Sequence, residues 1–465
     1  QLIMQFLSET LIMTMLAVCV ALFLLQLFLP LLNDIAGKTL FVPFNELLFQ
    51  VALFGFTLIV SLLAGIYPAF YLTNFKPAKV LKGFFVIRSG QFFRQSLVVS
   101  QFTFSVILII GTLVIYKQLT FLQNKNLGFD QNHLIYLHLK KDLRTHAQLL
   151  KNDLENETSI ESVASTSTDL VDVSTSTEDL HWEGQDPEDK FLITHVNIDP
   201  GFLSTTGMKL VAGRNFKPGI PSDTSAYLIN ETAARRMGWT PDEAIGKELT
   251  FWTDYKGRVI GVVKDFHFRP MTTAIEPCLF RYWPGQSNSG LFVKLKANQI
   301  RHAISVIEKI YKKYDPKTVP YYEFVDQQLE NQYRTQQNTA RIVLYFSIVA
   351  VVMSCLGLFG LVTYTAEQRT KEIGVRKVLG ASVTNIVNLL SMQFLKLVLI
   401  AIVIASPIGW WSMNQWLRDF AYKVGMEWWM FLLSALAAIS ISLATVSVQS
   451  IKAALMNPVK SLRSE

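Results

Sequence analysis

Charged residues are scarce in this sequence of 465 residues. Asp, Glu, Lys and Arg make up only 17% of it, and half of the residues are hydrophobic, whereas soluble proteins have roughly 25% charged residues. Only three cysteines occur, Cys19 and Cys355 in apolar runs and Cys278 alone between them. They allow neither a zinc-ligand spacing nor a disulfide in the region between the runs. The composition excludes an ordinary soluble protein and favours a mixture of membrane spans and a soluble part.

Sequence motifs that carry catalysis are also missing. The chain has no phosphate-binding G-x-x-x-x-G-K-[ST], no H-E-x-x-H, no G-x-S-x-G and no C-x-x-C. The histidines are scattered, and the pair Asp265 and His267 lacks a further ligand. We therefore predict that the chain is no enzyme and holds no metal or cofactor. A membrane-anchored hydrolase is the enzymatic alternative, and the missing nucleophile argues against it.

Six apolar runs are long enough to cross a membrane, which takes about 20 residues. They are Leu11–Leu32, Phe49–Leu72, Leu97–Tyr116, Ile342–Tyr364, Phe394–Trp411 and Trp429–Val448. Six such runs are hard to bury in any soluble core, which is the alternative interpretation. Ionisable residues are nearly absent inside them, which argues against an ion or proton path through these helices.

Basic residues predict how the spans are oriented. Five cations and no acid lie between the second and third runs, and further cations follow the fourth and sixth runs. With six spans these segments share one side, which is therefore predicted to be cytoplasmic. The region from about Thr120 to Thr339 is then extracytoplasmic. The net charge of +7 follows from this bias, and no nucleic-acid partner is implied.

The extracytoplasmic region is predicted to be α+β from its alternating and helical apolar patterns. The predicted strands are Leu134–Leu139, Phe191–Ile198, Tyr227–Ile229, Arg258–Val263 and Gly290–Lys296, and the predicted helices are His146–Glu155, Glu231–Met237 and His302–Tyr314. The Ser/Thr-rich stretch Ala164–Thr177 is predicted to be a mobile surface loop, with helix capping by its hydroxyls as the alternative. Two polar helices continuous with spans, Lys117–Asn126 and Val325–Thr339, are predicted to form stalks.

The two membrane blocks resemble each other weakly. Residues 1–82 pair with about 385–463, and each block ends on a related tail, NFKPAKVLK at Asn74–Lys82 and MNPVKSLR at Met456–Arg463. Internal repeats recur in transporters. The pairing leads us to expect a longer protein of two halves, with the first half largely upstream of Gln1.

A short charged segment, RTKEIGVRKVLGAS at Arg369–Ser382, lies between the fourth and fifth spans. Glu372 can pair with Arg376 at i,i+4, Gly380 can end a helix, and Ser382 can cap the next one. An interfacial helix on anionic lipid is one interpretation, and a docking helix for a cytoplasmic subunit is the other. The residues predicted to form the docking helix are Arg369, Lys371, Glu372, Ile373, Val375, Arg376, Lys377 and Gly380.

Several strings together resemble one family. EQRTKEIGVRKVLGAS at Glu367–Ser382, followed by two spans, resembles the FtsX-like permease domain of MacB-type ABC transporters. VNIDPGFLSTTGMKLVAGRNF at Val196–Phe216, YLINETAARRMGW at Tyr227–Trp239 and VIGVVKDFHFRPMTTAIEPCLF at Val259–Phe280 resemble that family's periplasmic core domain. The two-half arrangement is similar to longer permeases of Bacteroidetes-like bacteria. No ATPase is visible in this chain, so the resemblance implies a separate ATP-binding subunit that holds ATP and magnesium.

The resemblance implies a permease subunit of the bacterial inner membrane that works by mechanotransmission and exports peptides, lipids, antibiotics or similar substrates. The alternatives are a transmembrane regulator of a periplasmic cell-wall hydrolase and a lipoprotein-extraction permease. Further implied partners are the lipid bilayer, a periplasmic adaptor or outer-membrane component, and a second permease in a homo- or hetero-dimer.

The predicted fold class is a six-span α-helical membrane protein with a large α+β extracytoplasmic domain. Residues 1–73 are predicted to end a first permease half, residues 74–95 to form a basic cytoplasmic linker and residues 96–118 a span. Residues 119–338 are predicted to form the periplasmic core domain with its stalks. Residues 339–465 are predicted to form a second permease half, with the coupling helix at 367–380.

Overall fold

A computed structural model describes residues 2–37, 39–73, 89–171, 173–186, 188–252, 254–284 and 289–455. The α-helices are α1 (Leu2–Ala36), α2 (Leu47–Thr73), α3 (Ser89–Gln123), α4 (Lys141–Arg144), α5 (Ala147–Glu155), α6 (Phe202–Thr206), α7 (Glu231–Arg236), α8 (Pro241–Ala244), α9 (Ile300–Tyr314), α10 (Val325–Gln368), α11 (Thr370–Val378), α12 (Val383–Leu417) and α13 (Trp428–Leu455).

The β-strands all lie between α3 and α10. They are β1 (Leu134–His138), β2 (Ile160–Thr166), β3 (Ser176–Thr177), β4 (Leu180–Trp182), β5 (Ile193–Asn197), β6 (Leu210–Gly213), β7 (Ala226–Asn230), β8 (Glu248–Phe251), β9 (Tyr255–Val263), β10 (Cys278–Arg281), β11 (Gly290–Leu295) and β12 (Tyr321–Phe324).

Within the described ranges, six helices are long and apolar enough to cross a membrane: α1, α2, α3, α10, α12 and α13. Each contains one of the six predicted apolar runs, so the predicted spans are confirmed as helices. The predicted stalk Val325–Thr339 and the fourth run form one helix, α10, without a break. The other stalk is shorter than predicted, because α3 ends at Gln123 rather than Asn126.

The chain folds into two compact units. The membrane unit comprises residues 1–116, 336–414 and 426–465, and the outer unit comprises residues 117–335 and 415–425. Residues 415–425, which are the last three residues of α12 and most of the loop to α13, lie within the predicted second permease half. The predicted domain limits stay predictions.

Small residues let helices of the membrane unit approach closely. A Cβ added at Gly65 of α2 would lie 2.6 Å from Oγ1 of Thr10 in α1. Gly357 of α10 likewise faces the Gln101 side chain of α3. Gly55 and Gly360 make no such approach, since no heavy atom of the described residues lies within 4 Å of the added Cβ. Two of these four glycines therefore serve close packing.

The first sheet of the outer unit has four strands in the order β12-β1-β11-β2, all antiparallel. Helices α5 and α9 pack against it through apolar faces. Leu150 and Leu154 of α5 share a buried cluster with Ile307 and Tyr311 of α9. The apolar spacing within each helix places these side chains on one face, so the sheet and helices form one core.

The second sheet is mixed, with strands in the order β3-β5-β10-β7-β9-β8-β4 and β6 paired to β9. Its parallel pairs are β10 with β5 and β7 with β9. Phe202 and Phe280 lie in the core on one side of this sheet, and Ile229 and Leu279 belong to a second cluster. Together with the four-stranded sheet, this confirms the predicted α+β class.

The five predicted strands are confirmed within a few residues at their ends, as β1, β5, β7, β9 and β11. The prediction of a mobile loop at Ala164–Thr177 is wrong. Its start belongs to β2, and Leu170 and Val173 are buried in the core. The hydroxyl of Thr166 donates to the carbonyl of Thr168 at 2.7 Å, so a polar side chain is satisfied locally while its apolar neighbours point inward.

The two tails that suggested an internal repeat, Asn74–Lys82 and Met456–Arg463, lie outside the described residues, as does Gln1. The pairing of the two membrane blocks therefore stays a prediction.

Candidate coupling site

The predicted docking segment contains a helix of its own, α11, which we call the coupling helix. Arg369 separates it from α10, yet the hydrogen bonding runs on through the junction. The Arg369 amide donates to the Thr365 carbonyl at 3.1 Å, and the Ile373 amide donates to the Arg369 carbonyl at 2.9 Å. The predicted bounds 367–380 are wider than the helix, because Glu367 lies within α10.

The coupling helix ends at a glycine, as predicted. Gly380 has a φ of +91°, a backbone conformation that favours glycine. Its amide donates to the Lys377 carbonyl at 3.1 Å, and the Ala381 amide donates to the Arg376 carbonyl at 2.9 Å. This pair of bonds is the Schellman arrangement. Ser382 then caps α12, because its hydroxyl accepts from the Asn385 amide at 3.3 Å.

The coupling helix has one buried apolar contact and an exposed apolar surface. Ile373 packs against Ile386 and Leu390 of α12, which fastens the helix to the fifth span. Val375 and Val378 are exposed, as is Leu379 directly after the helix, with 79% of its surface accessible. Exposed apolar residues beside charges are typical of a protein or membrane contact.

The predicted charged residues lie along the same helix. Arg376 and Glu372 form the expected i,i+4 ion pair at 2.8 Å, with both side chains about half exposed. Arg369 is half-buried at the start of the helix. The side chain of Lys371 is outside the described residues.

A cavity of about 360 Å³ lies beside the coupling helix in the membrane unit. The lining residues are Phe359, Thr363, Ala366, Glu367, Thr370, Ile373, Gly374, Lys377, Gln449 and Lys452. The sequence singled out only Ile373 and Lys377 among them as site residues. Gln449 and Lys452 come from α13, and only their place at the end of the sixth span could have suggested them.

In the outer unit, the loop between α12 and α13 is held by the extension of α3. Gln118 is fully buried and uses both ends of its amide. Its Nε2 donates to the Tyr422 carbonyl at 2.7 Å, and its Oε1 accepts from the Val424 amide at 2.9 Å. The Ala421 amide also donates to the Thr272 carbonyl at 2.9 Å. These bonds tie residues 415–425, which we call the outer loop, to two other parts of the outer unit.

Apolar and aromatic contacts reinforce the outer loop. Phe420 lies in a buried cluster with Met271, with Leu122 of α3 and with Tyr333 of α10. The ring of Tyr422 contacts the His267 ring edge-on, with centroids 5.1 Å apart. The loop therefore contacts both helices that continue into the spans.

Burial, and then the nearby charge of Lys125, lower the pKa of His267 to about 4, against the opposite effect of Asp265. The carboxylate of Asp265 is engaged elsewhere, since it accepts from the amide and hydroxyl of Thr232, each at 2.8 Å. In the part of the chain that the structure describes, no group of three or more His, Cys, Asp or Glu side chains could hold a metal ion.

Comparison with family models gives two matches, which cover different parts of the chain. Residues 344–458 match the FtsX-like permease C-terminal model, and residues 98–306 match the MacB-like periplasmic core domain model. The coupling helix lies in the first match. No curated protein matches the chain.

Solved structures similar to this chain include the periplasmic region of MacB from Actinobacillus actinomycetemcomitans (16% identity, 45% of this chain and 96% of that one, TM-score 0.32). A domain of a permease protein from Porphyromonas gingivalis gives 18% identity over 44% of this chain and 99% of that one, with a TM-score of 0.31. The extracellular domain of the noncanonic ABC-type transporter YknZ from Gram-positive bacteria gives 18% identity over 41% of this chain and 96% of that one, with a TM-score of 0.30.

Proposed function

This chain belongs to the ABC-transporter permeases of the MacB/FtsX type, and from that premise we propose that it passes the motion of a separate ATP-binding subunit to its outer unit. ATP and magnesium would be held by that subunit. The coupling helix would dock it through Arg376, Lys377 and the exposed Val378 and Leu379. The observation that carries this proposal is the coupling helix itself, a charged helix with an exposed apolar surface inside the permease match.

The way the coupling helix is attached supports mechanical transmission. Hydrogen bonds continue from α10 through Arg369 into the helix, and Ile373 packs on α12. A force on the coupling helix would therefore reach the fourth and fifth spans without a flexible joint. Helix α10 has 44 residues and no proline, which corresponds to about 66 Å at 1.5 Å per residue. That is roughly twice the 30 Å thickness of the hydrocarbon core.

The proposed substrates are peptides, lipids, antibiotics or similar molecules handled on the outer side of the inner membrane. They need not pass through the spans. Further proposed partners are a periplasmic adaptor or outer-membrane component, and a second permease in a homo- or hetero-dimer.

The docking role of the coupling helix can be tested by charge reversal. The variant Arg376→Glu/Lys377→Glu should bind the separate ATP-binding subunit at least tenfold more weakly than the wild type does. A tenfold loss corresponds to about 1.4 kcal/mol of binding free energy. Stimulation of that subunit's ATPase should fall in parallel. The measurements are copurification from membranes and ATP hydrolysis in nanodiscs.

A matched control is Lys309→Glu/Lys312→Glu, which makes the same charge change on exposed residues of α9 in the outer unit. This control should leave both readouts at the wild-type level. Full binding and stimulation in the Arg376/Lys377 variant would contradict the docking role and leave the coupling helix as a lipid-surface helix.

A further inference from the structure

Three strand ends of the mixed sheet bring an arginine together with aromatic rings in the outer unit. Arg281 is the last residue of β10, and it pairs with Tyr227 of the neighbouring β7. Phe251 ends β8 opposite Tyr255, the first residue of β9. The hydroxyl of Tyr227 donates to the Tyr255 carbonyl at 2.6 Å, which joins β7 to the start of β9.

Four aromatic rings surround the guanidinium of Arg281. Its Cζ lies 4.7 Å from the ring centroid of Phe251, 4.8 Å from Tyr255 and 4.6 Å from Trp283. The ring of Trp252 is 5.8 Å away. All four distances fall within the roughly 6 Å over which a cation is attracted to an aromatic face. The rings therefore hold the cation in place without neutralising it.

The charge of Arg281 has no anionic partner among the described residues. Only 6% of the residue is exposed, and within the same ranges its guanidinium makes no ion pair or hydrogen bond. Burial lowers the pKa of Arg281, but arginine stays protonated in proteins. A buried guanidinium with unused N–H donors is costly unless an anion completes it. The donor fork of arginine matches a planar carboxylate through two parallel hydrogen bonds.

The neighbouring histidine adds no charge at neutral pH. The His195 ring lies 5.0 Å from Phe251 and 5.6 Å from Trp252, centroid to centroid. Burial and then the charge of Arg281 lower the pKa of His195 to about 4. The cluster therefore carries a single positive charge at neutral pH, and one carboxylate would neutralise it.

The rim of the cluster is aromatic and accessible. Trp252 is 38% exposed and Tyr255 is 39% exposed. Trp252 also has a φ of +53°, an unfavourable value for a residue with a side chain, and such strained residues concentrate at functional sites. A ligand whose carboxylate reaches Arg281 would have these two rings available for stacking.

We propose that Arg281, with the rings of Trp252, Tyr255 and Trp283, is a binding site for a carboxylate attached next to an aromatic group, as at the C-terminus of a peptide that ends in an aromatic residue. Arg281 would bind the carboxylate through two N–H groups, and the exposed rings would stack on the terminal side chain. The site does not depend on the docking of an ATP-binding subunit, so its test is separate from the test of the proposed function.

The test is a titration of the full chain in nanodiscs, by isothermal calorimetry, with three small probes. N-acetyl-phenylalanine carries the carboxylate and the ring, its amide lacks the charge, and phenyl phosphate replaces the carboxylate. The acid should bind at least tenfold more tightly than the amide and more tightly than phenyl phosphate. Equal binding of acid and amide would overturn the proposal. Tighter binding of phenyl phosphate would assign the site to phosphate monoesters and overturn the peptide assignment.

Two variants connect this binding to the site. Arg281→Met should remove the preference for the acid over the amide. Trp252→Ala should weaken the binding of the acid severalfold. Tyr321→Ala, at an exposed aromatic residue of the other sheet, should bind as the wild type does. If Arg281→Met fails to fold, the test is the comparison of Trp252→Ala with Tyr321→Ala, in which only Trp252→Ala should bind the acid more weakly than the wild type does. Binding of the acid that is the same in the wild type and Trp252→Ala would overturn the proposal.

Discussion

His267 is a buried histidine whose surroundings favour the neutral ring. It is 6% exposed, contacts the Tyr422 ring, and lies near the cation Lys125 and the acid Asp265. Its folded pKa of about 4 is below the 6.5 of an ordinary histidine. Between these values the unfolded chain binds a proton that the folded chain does not, so the stability of the folded state falls as the pH drops from about 6.5 to 4.

We predict that His267→Gln makes the outer unit less sensitive to acid. The difference between variant and wild type should reach at most about 3 kcal/mol at pH 4, at about 1.4 kcal/mol for each pKa unit. The measurement is the melting temperature of the full chain in detergent between pH 7.5 and 4.5. His302→Gln, at an exposed position, is the control and should keep the wild-type profile. A wild-type profile in His267→Gln as well would contradict this account of His267.

Single residues show clearly where sequence reasoning succeeds and fails. Gly380 and the Glu372–Arg376 pair could be predicted because their signals are local: a glycine after a helix and opposite charges four residues apart. Arg281 gave no such signal, since three of its four rings come from residues about 30 positions earlier and their convergence depends on strand pairing. Gln118 looked like one of many polar residues on a stalk, although its two partners lie 304 and 306 residues away.

At the scale of elements, the longest helices were the easiest to predict. The spans and α9 are long enough for their periodicity to identify them. Strands β3, β4, β10 and β12 have two to four residues, too few for alternation to be recognised. The outer loop has no periodicity of its own, and only its contacts with Gln118 and Leu122 reveal its role.

The outer loop gives an element-scale prediction. Gln118→Leu removes the amide that pairs with the Tyr422 carbonyl and the Val424 amide, and each unpaired buried group costs about 1–3 kcal/mol. We expect the free energy of opening the loop to fall by about 2 kcal/mol, so that the Val424 amide exchanges with solvent roughly 30-fold faster. Hydrogen–deuterium exchange of the full chain measures this.

The matched control for that variant is Gln123→Leu, at an exposed glutamine near the end of the same helix. It should leave exchange in the outer loop unchanged. Equal protection of Val424 in Gln118→Leu and wild type would mean that the loop is held by its apolar contacts alone.

At the scale of the whole molecule, the sequence predicted the six spans, the α+β outer unit and the permease family, because apolar length and combined motifs are properties of long segments. It could not assign the outer loop to the outer unit, since that depends on folding. In the proposed function, the ATP-binding subunit acts on the coupling helix, and α10 transmits the motion to the outer unit. The central claim is that ATP on a separate subunit changes the state of the outer unit.

The most direct test of that claim is hydrogen–deuterium exchange in residues 415–425 of the full chain, bound to its ATP-binding subunit in nanodiscs, with and without ATP. The account predicts that ATP changes the exchange rate of the outer loop in the wild-type complex. The variant Arg376→Glu/Lys377→Glu should show no such change. Identical exchange with and without ATP, in a wild-type complex that hydrolyses ATP, would contradict the account.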